Sequence, residues 1–115
     1  MDDRFLQQLK KGVLEMLVLE TICQQSTYGY QLLTSLKNRS NGLFSLKEGT
    51  LYPILYRLED DGMILSSWQQ GEGRTAPKKM YSATEKGQQE NLRRMQMWNT
   101  FSTTVDNFFS GGNQE

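Results

Sequence analysis

At 115 residues the chain has room for one domain and a short appendage, and its 37% hydrophobic content is low for a self-sufficient globule, so a partner subunit is expected to complete the core. The 13 basic and 13 acidic residues cancel, which argues against a protein that coats nucleic acid through bulk charge but leaves open a reader whose positive charge is local. A single cysteine, Cys23, and the absence of histidine exclude an intrachain disulfide, a Cys/His zinc site and histidine-dependent catalysis.

The acidic start Met1-Asp2-Asp3-Arg4 is not that of a signal peptide, and no run of about 18 apolar residues follows to span a membrane. A cytoplasmic location is the expectation. From Arg4 to about Gln25 the pattern is helical. Its second half (Val13, Leu14, Met16, Leu17, Val18, Leu19, Ile22) is apolar nearly all round, as in a central buried helix, whereas Phe5, Leu6 and Leu9 mark a sparser arm. Ser26 or Thr27 is expected to cap a second helix with Leu32, Leu33 and Leu36 on one face, ending before Asn41-Gly42.

A third helix opens at Ser45-Leu46-Lys47-Glu48, which fits a capping box, and runs to Asp61 with Gly62 at its C-terminal end. Leu51, Leu55 and Leu58 form its buried stripe. Pro53 lies inside it, so a kink or an irregular first turn is expected rather than an end. Beyond Gly62 the period changes. Met63–Gln69 and Lys78–Ala83 read as two strands of a hairpin with a glycine-rich tip.

The last helix starts near Thr84 and runs to about Phe109, with Met95, Trp98, Phe101, Val105 and Phe109 on one arc and Leu92 off it, expected to pack back on the domain. Nothing left in the chain covers that apolar arc, so dimerisation is its simplest cover. The ending 111–115 reads as a frayed, disordered tail.

The fold class expected from this order is mainly α with a small β-hairpin, a winged helix-turn-helix followed by one long C-terminal dimerisation helix. The winged unit spans 1–83, with 1–10 as an arm on the partner subunit, and the dimerisation helix spans 84–110. In such a unit the second helix of the pair enters the major groove. Here it carries Lys47, Gly49, Thr50, Tyr52, Pro53, Tyr56 and Arg57, a surface suited to phosphates, sugars and thymine methyls. For either tyrosine the alternative is packing against a neighbouring helix.

Arg74, Lys78 and Lys79 give the hairpin the local positive charge that the whole chain lacks, for a grip on flanking phosphates; an ordinary solvated loop is the other reading. Trp98 from each subunit of a dimer could form a slot for a flat aromatic ligand lined by methionine, or could simply fill the interface. The carboxylates Glu59-Asp60-Asp61 read as a solvated helix end, and Cys23 as an inert thiol. Neither an enzyme nor a cofactor or metal site is expected.

The stretches Tyr28-Gly29-Tyr30-Gln31-Leu32, Glu48-Gly49-Thr50-Leu51-Tyr52-Pro53-Ile54-Leu55-Tyr56-Arg57-Leu58-Glu59-Asp60-Asp61-Gly62-Met63-Ile64 and Lys78-Lys79-Met80-Tyr81-Ser82-Ala83-Thr84-Glu85-Lys86-Gly87 closely resemble PadR-family regulators. The single final helix resembles the short-tailed branch, similar to LmrR-type multidrug-sensing repressors. The resemblance implies a homodimer on a pseudo-palindromic double-stranded DNA operator. The implied DNA contacts are Tyr28, Lys47, Thr50, Tyr52, Pro53 and Arg57, with Arg74, Lys78 and Lys79 on the wing.

It further implies a dimer interface of Phe5, Leu6 and Leu9 against Met95, Trp98, Phe101, Val105, Phe108 and Phe109, and a planar-ligand site at Trp98, Met95 and Ser102. That type carries an acidic residue one turn after its tryptophan, where this chain has Ser102. The expected function is therefore a homodimeric repressor released by a small aromatic ligand. Two alternatives stand beside it: a ligand-independent DNA-binding repressor, and a winged-helix module for protein–protein contact.

Overall fold

The computed structural model describes residues 3–111. In chain order the elements are α1 (Arg4–Gln24), β1 (Thr27–Tyr28), α2 (Gly29–Arg39), α3 (Glu48–Asp60), β2 (Ile64–Gln69), β3 (Lys78–Ala83) and α4 (Glu85–Phe109). The strands form an antiparallel sheet in the order β1-β3-β2. The tail expected to be frayed lies, apart from Gly111, outside the described residues, as do Met1 and Asp2 of the arm.

Leu14, Val18, Leu19 and Ile22 of α1 lie at the centre of the core, against Leu32 and Leu36 of α2, Leu51, Ile54, Leu55 and Leu58 of α3, and Ile64 and Tyr81 of the sheet. Burying each such side chain contributes about 1.5–3 kcal/mol, which is why two short helices and a small sheet close around one helix. Asp3 caps α1, its carboxylate accepting from the amides of Phe5 and Leu6 at 2.9 and 3.2 Å.

Two expected caps form differently. Thr27 and Tyr28 are extended because they add a third strand to β3, in the register Thr27↔Tyr81 and Tyr28↔Met80. Tyr28 therefore becomes the N-cap of α2, and its amide donates to Gln31 Oε1 at 3.1 Å. Neither Ser26 nor Thr27 serves as the cap. Ser45 is used in the preceding turn, donating to the Gly42 carbonyl at 2.8 Å, so the capping box does not form and Lys47 is the N-cap of α3 without a side-chain bond.

Pro53 behaves as expected of a helix it cannot end. The first turn is shared, with the amides of Thr50 and Leu51 both reaching the Lys47 carbonyl at 3.0 and 3.1 Å, and the helix continues to Asp60. It closes in a Schellman motif: Met63 N–H donates to Leu58 O, Gly62 N–H donates to Glu59 O, and Gly62 takes φ +77°.

The start of α4 is clamped to that turn. Thr84 donates its amide to the Met63 carbonyl and its hydroxyl to the Gly62 carbonyl, while accepting from Gly87 N–H. On the next turn Asn91 is buried and donates to Glu20 Oε1 at 2.7 Å. Leu92, expected to pack inward, is instead 60% exposed; the turn geometry gives the inward position to its neighbour Asn91. Beyond Asn91 α4 runs on beside α1, paired to it through Arg94 and Glu15, with most of its remaining residues exposed. The radius of gyration of 16.8 Å exceeds the roughly 13 Å of a compact chain near this length.

Candidate nucleic-acid interface

The two helices that follow α1 are packed through one contact that depends on glycine. A Cβ at Gly29 would lie 2.8 Å from the Tyr52 hydroxyl, so the ring of Tyr52 sits against the first turn of α2. Tyr52 is thus half-buried and packed on the core, the neighbouring-helix alternative in the sequence. Tyr56, one turn later, is exposed, as are Lys47, Gly49, Thr50, Pro53 and Arg57. The leucine stripe is fully covered, so α3 presents one polar and aromatic face to solvent.

The wing divides its basic residues. Successive strand residues point to opposite faces, so Lys78 and Lys79 part company. Lys78 lies on the outer face with Tyr28, its Nζ 5.6 Å from the ring centroid. Lys79 lies on the face shared with Tyr81, its Nζ 5.8 Å from the Trp68 ring and 5.9 Å from that of Tyr81. Arg74 is exposed near the tip. The structure therefore brings Tyr28 and Lys78 together and separates both from Lys79.

Two exposed aromatic residues on these elements carried no role in the sequence reading: Tyr30 on the first turn of α2, and Trp68, opposite Lys79 in the sheet. The signal for Trp68 was its alternation with Ile64 and Ser66, which assigns it a face once the register is known.

Tyr81 is buried in the core behind the interface. Burial, with Tyr52, Glu59 and Tyr56 nearby, pushes its phenol up to about 12. The unfolded chain ionises near 10, so this contribution to stability is complete below pH 10 and is lost as pH rises towards 12. Thermal melts between pH 9 and 12 should show a fall in melting temperature that Tyr81→Phe makes shallower.

Charged residues cross the domain away from the wing. Glu15 of α1 meets Arg57 of α3 at 3.2 Å and Arg94 of α4 at 3.4 Å. Glu90 takes Arg94 at 2.7 Å and Arg93 at 2.8 Å, and these hydrogen bonds hold its carboxyl down at about 2. Cys23 is only partly buried; burial and then Glu20 raise its thiol pKa, which keeps it protonated and a poor nucleophile.

Beside this network, α1 and α4 border an open groove of about 1070 Å³, with Glu15 and Arg94 in its lining. Leu6, Leu9, Met95, Trp98 and Phe101 line it together, and the Trp98 and Phe101 rings lie 6.1 Å apart at 39°. Phe5, Val105, Phe108 and Phe109 are exposed along the same helices. Ser102, half-buried, turns its hydroxyl to the Asn99 carbonyl. No described helix is long and apolar enough to cross a membrane.

The family model of the PadR-like transcriptional regulators matches residues 18–93, from the last two turns of α1 to the third turn of α4. The crystal structure of a PadR family transcriptional regulator from Eggerthella lenta is similar at a TM-score of 0.80 and 30% identity, over 91% of this chain and 88% of that one. A PadR-like transcriptional regulator from Bacillus cereus gives 0.76 and 34%, over 89% and 96%.

Among curated relatives, the transcriptional regulator YqjI of Escherichia coli is 27% identical over 75% of this chain, which spans 41% of that protein. A protein of Lysinibacillus sphaericus without an assigned role is 28% identical over 88% of this chain and 92% of its own length. The chain is a regulator, not an enzyme, and it belongs to the PadR-like family of transcriptional regulators.

Proposed function

We propose that the protein is a homodimeric, sequence-specific repressor that reads double-stranded DNA through α3 and is released by a planar aromatic ligand held between the two copies of α4. One observation carries the DNA half: α3, anchored by buried leucines, offers Lys47, Thr50, Pro53 and Tyr56 to solvent on a domain whose wing strand β3 carries Lys78 and Lys79. Tyr28, Tyr52 and Arg57 flank that face, and Arg74 extends the wing. Residues 1–83 form the reading unit and 84–110 the dimerisation helix, with the arm 1–10 lying on the partner. Such a regulator works in the cytoplasm, on its operator.

The uncovered apolar stripe supports the dimer, since a patch this long on a monomer marks an interface. Phe5, Leu6 and Leu9 would meet Met95, Trp98, Phe101, Val105, Phe108 and Phe109 across a two-fold axis. Paired Trp98 rings with Met95 would then take a flat ligand by stacking. Ser102 brings no carboxylate to that position, so stacking rather than charge would hold the ligand. A ligand that prefers a different spacing of the two α3 helices shifts the population away from the DNA-bound form.

The test is selection of a binding sequence from a random duplex library, followed by gel shifts at several salt concentrations. A selected sequence for which the logarithm of the affinity falls linearly with log salt supports the reading. Recovery of no preferred sequence rejects it and favours a protein–protein module. Flat aromatic compounds titrated against tryptophan emission, with Trp98→Ala to subtract Trp68, test the ligand. Unchanged Trp98 emission across a broad panel leaves a ligand-independent repressor.

A further inference from the structure

The ion pairs around Glu15 have no part in the reading above, yet they connect the DNA-facing helix to the helix proposed for dimerisation. Glu15 uses its two oxygens separately: Oε1 accepts from Arg57 Nε at 3.2 Å, and Oε2 accepts from Arg94 Nη1 at 3.4 Å. Arg94 is split in the same way, its Nε donating to Glu90 at 2.7 Å. The result is an alternating chain, Glu90–Arg94–Glu15–Arg57, running from α4 through α1 to α3.

We propose that Glu15 is the positioning residue for Arg57 in DNA binding, itself held in place from α4 by Arg94. The inference rests on α3 being the element that reads DNA. A guanidinium has distinct donor edges and can be held on one while offering the other. Glu15 takes only Nε, and among the described residues neither terminal nitrogen of Arg57 has a hydrogen-bond partner. The Arg57 side chain is 59% exposed, so without Glu15 it would sample many rotamers and lose that freedom on meeting a phosphate or a guanine edge.

The neutralising arginines answer the obvious objection. A lone carboxylate beside DNA repels phosphate, but Glu15 sits between two cations, so it steers Arg57 without leaving net negative charge at the interface. Because Arg94 lies on α4, any shift of that helix changes the hold on Glu15 and thereby the aim of Arg57.

The experiment is a double-mutant cycle on a duplex selected from a random library by the wild-type protein. Glu15→Ala should weaken binding about three- to tenfold, the range expected from releasing one ordered long side chain. In an Arg57→Ala background the same change should have no further effect. Arg57→Lys, whose ammonium has no second edge, should also abolish the Glu15 effect while keeping the salt slope. Arg94→Met should weaken binding in the same direction and add little to Glu15→Ala.

Tighter binding by Glu15→Ala would show that the carboxylate competes with DNA, and would overturn the proposal. An unchanged affinity, or a loss that persists in Arg57→Ala, overturns it equally; persistence would place the effect in folding or dimerisation. Should Arg57→Ala weaken binding while the pair remains additive, only this inference falls. Should Arg57→Ala and Thr50→Ala both leave binding unchanged, the assignment of α3 falls with it.

Discussion

Gly87→Ala is expected to lower stability by about 3 kcal/mol, a fall of roughly 10–20 °C in melting temperature at fixed protein concentration. A Cβ at this position would lie 2.0 Å from the Met63 carbonyl oxygen and 2.9 Å from its carbon. Neither side can give way cheaply. The Met63 carbonyl accepts from the Thr84 amide at 3.0 Å, and the Met63 amide closes the α3 Schellman motif at 2.9 Å. Gly87 N–H, for its part, is bound to the Thr84 hydroxyl at 3.0 Å.

A methyl group therefore either breaks the Thr84 clamp or tilts α4 away from the turn that ends α3. Gly49→Ala is the control. Gly49 is helical and exposed and has nothing within 4 Å of a built Cβ, so alanine there should raise stability of the free protein by up to about 1 kcal/mol. Melting followed by circular dichroism separates the two signs. A Gly87→Ala protein that melts within a few degrees of the wild type would mean the approach of α4 to Met63 is not tight.

That clamp also shows what kind of information the sequence carries on its surface. Periodicity located every helix and the hairpin, because burial of Leu14, Val18, Leu51, Leu55 and Leu58 is decided by spacing alone. Gly62 announced the end of α3 because its left-handed backbone is a local requirement. The two caps fail for different reasons: a third strand at Thr27–Tyr28 needs β3 to fold in from elsewhere, whereas Ser45 is taken by a local turn bond to the Gly42 carbonyl that competes with the cap.

The candidate interface follows the same division. The exposed face of α3 was legible from the leucine stripe behind it. That Tyr52 lies against Gly29, that Lys78 and Lys79 face opposite ways, and that Glu15 joins Arg57 to Arg94 were not. Glu15 and Arg94 are 79 residues apart, and an ion pair at that separation leaves no periodic trace.

Phe101→Glu is expected to turn the proposed dimer into a monomer and to weaken binding to a selected duplex by about two orders of magnitude or more. Phe101 is 62% exposed, next to Trp98 on the open groove. At a two-fold interface each substitution is present twice, so two carboxylates lose water in place of two apolar rings. A monomer also engages only one half-site, which forfeits half the phosphate contacts and so roughly halves the salt slope.

Thr100→Glu adds the same charge about 100° round α4 from Phe101, off the apolar stripe and exposed, and should leave both properties unchanged. Phe101→Leu keeps the apolar contact and should stay dimeric. Sedimentation equilibrium and gel shifts on one set of samples give both readouts. A Phe101→Glu protein that remains dimeric would remove the α4 stripe from the interface. One that is monomeric yet binds the duplex with the full salt slope would show that a single α3 and wing suffice, and the aromatic helix would then serve something other than the pairing of half-sites.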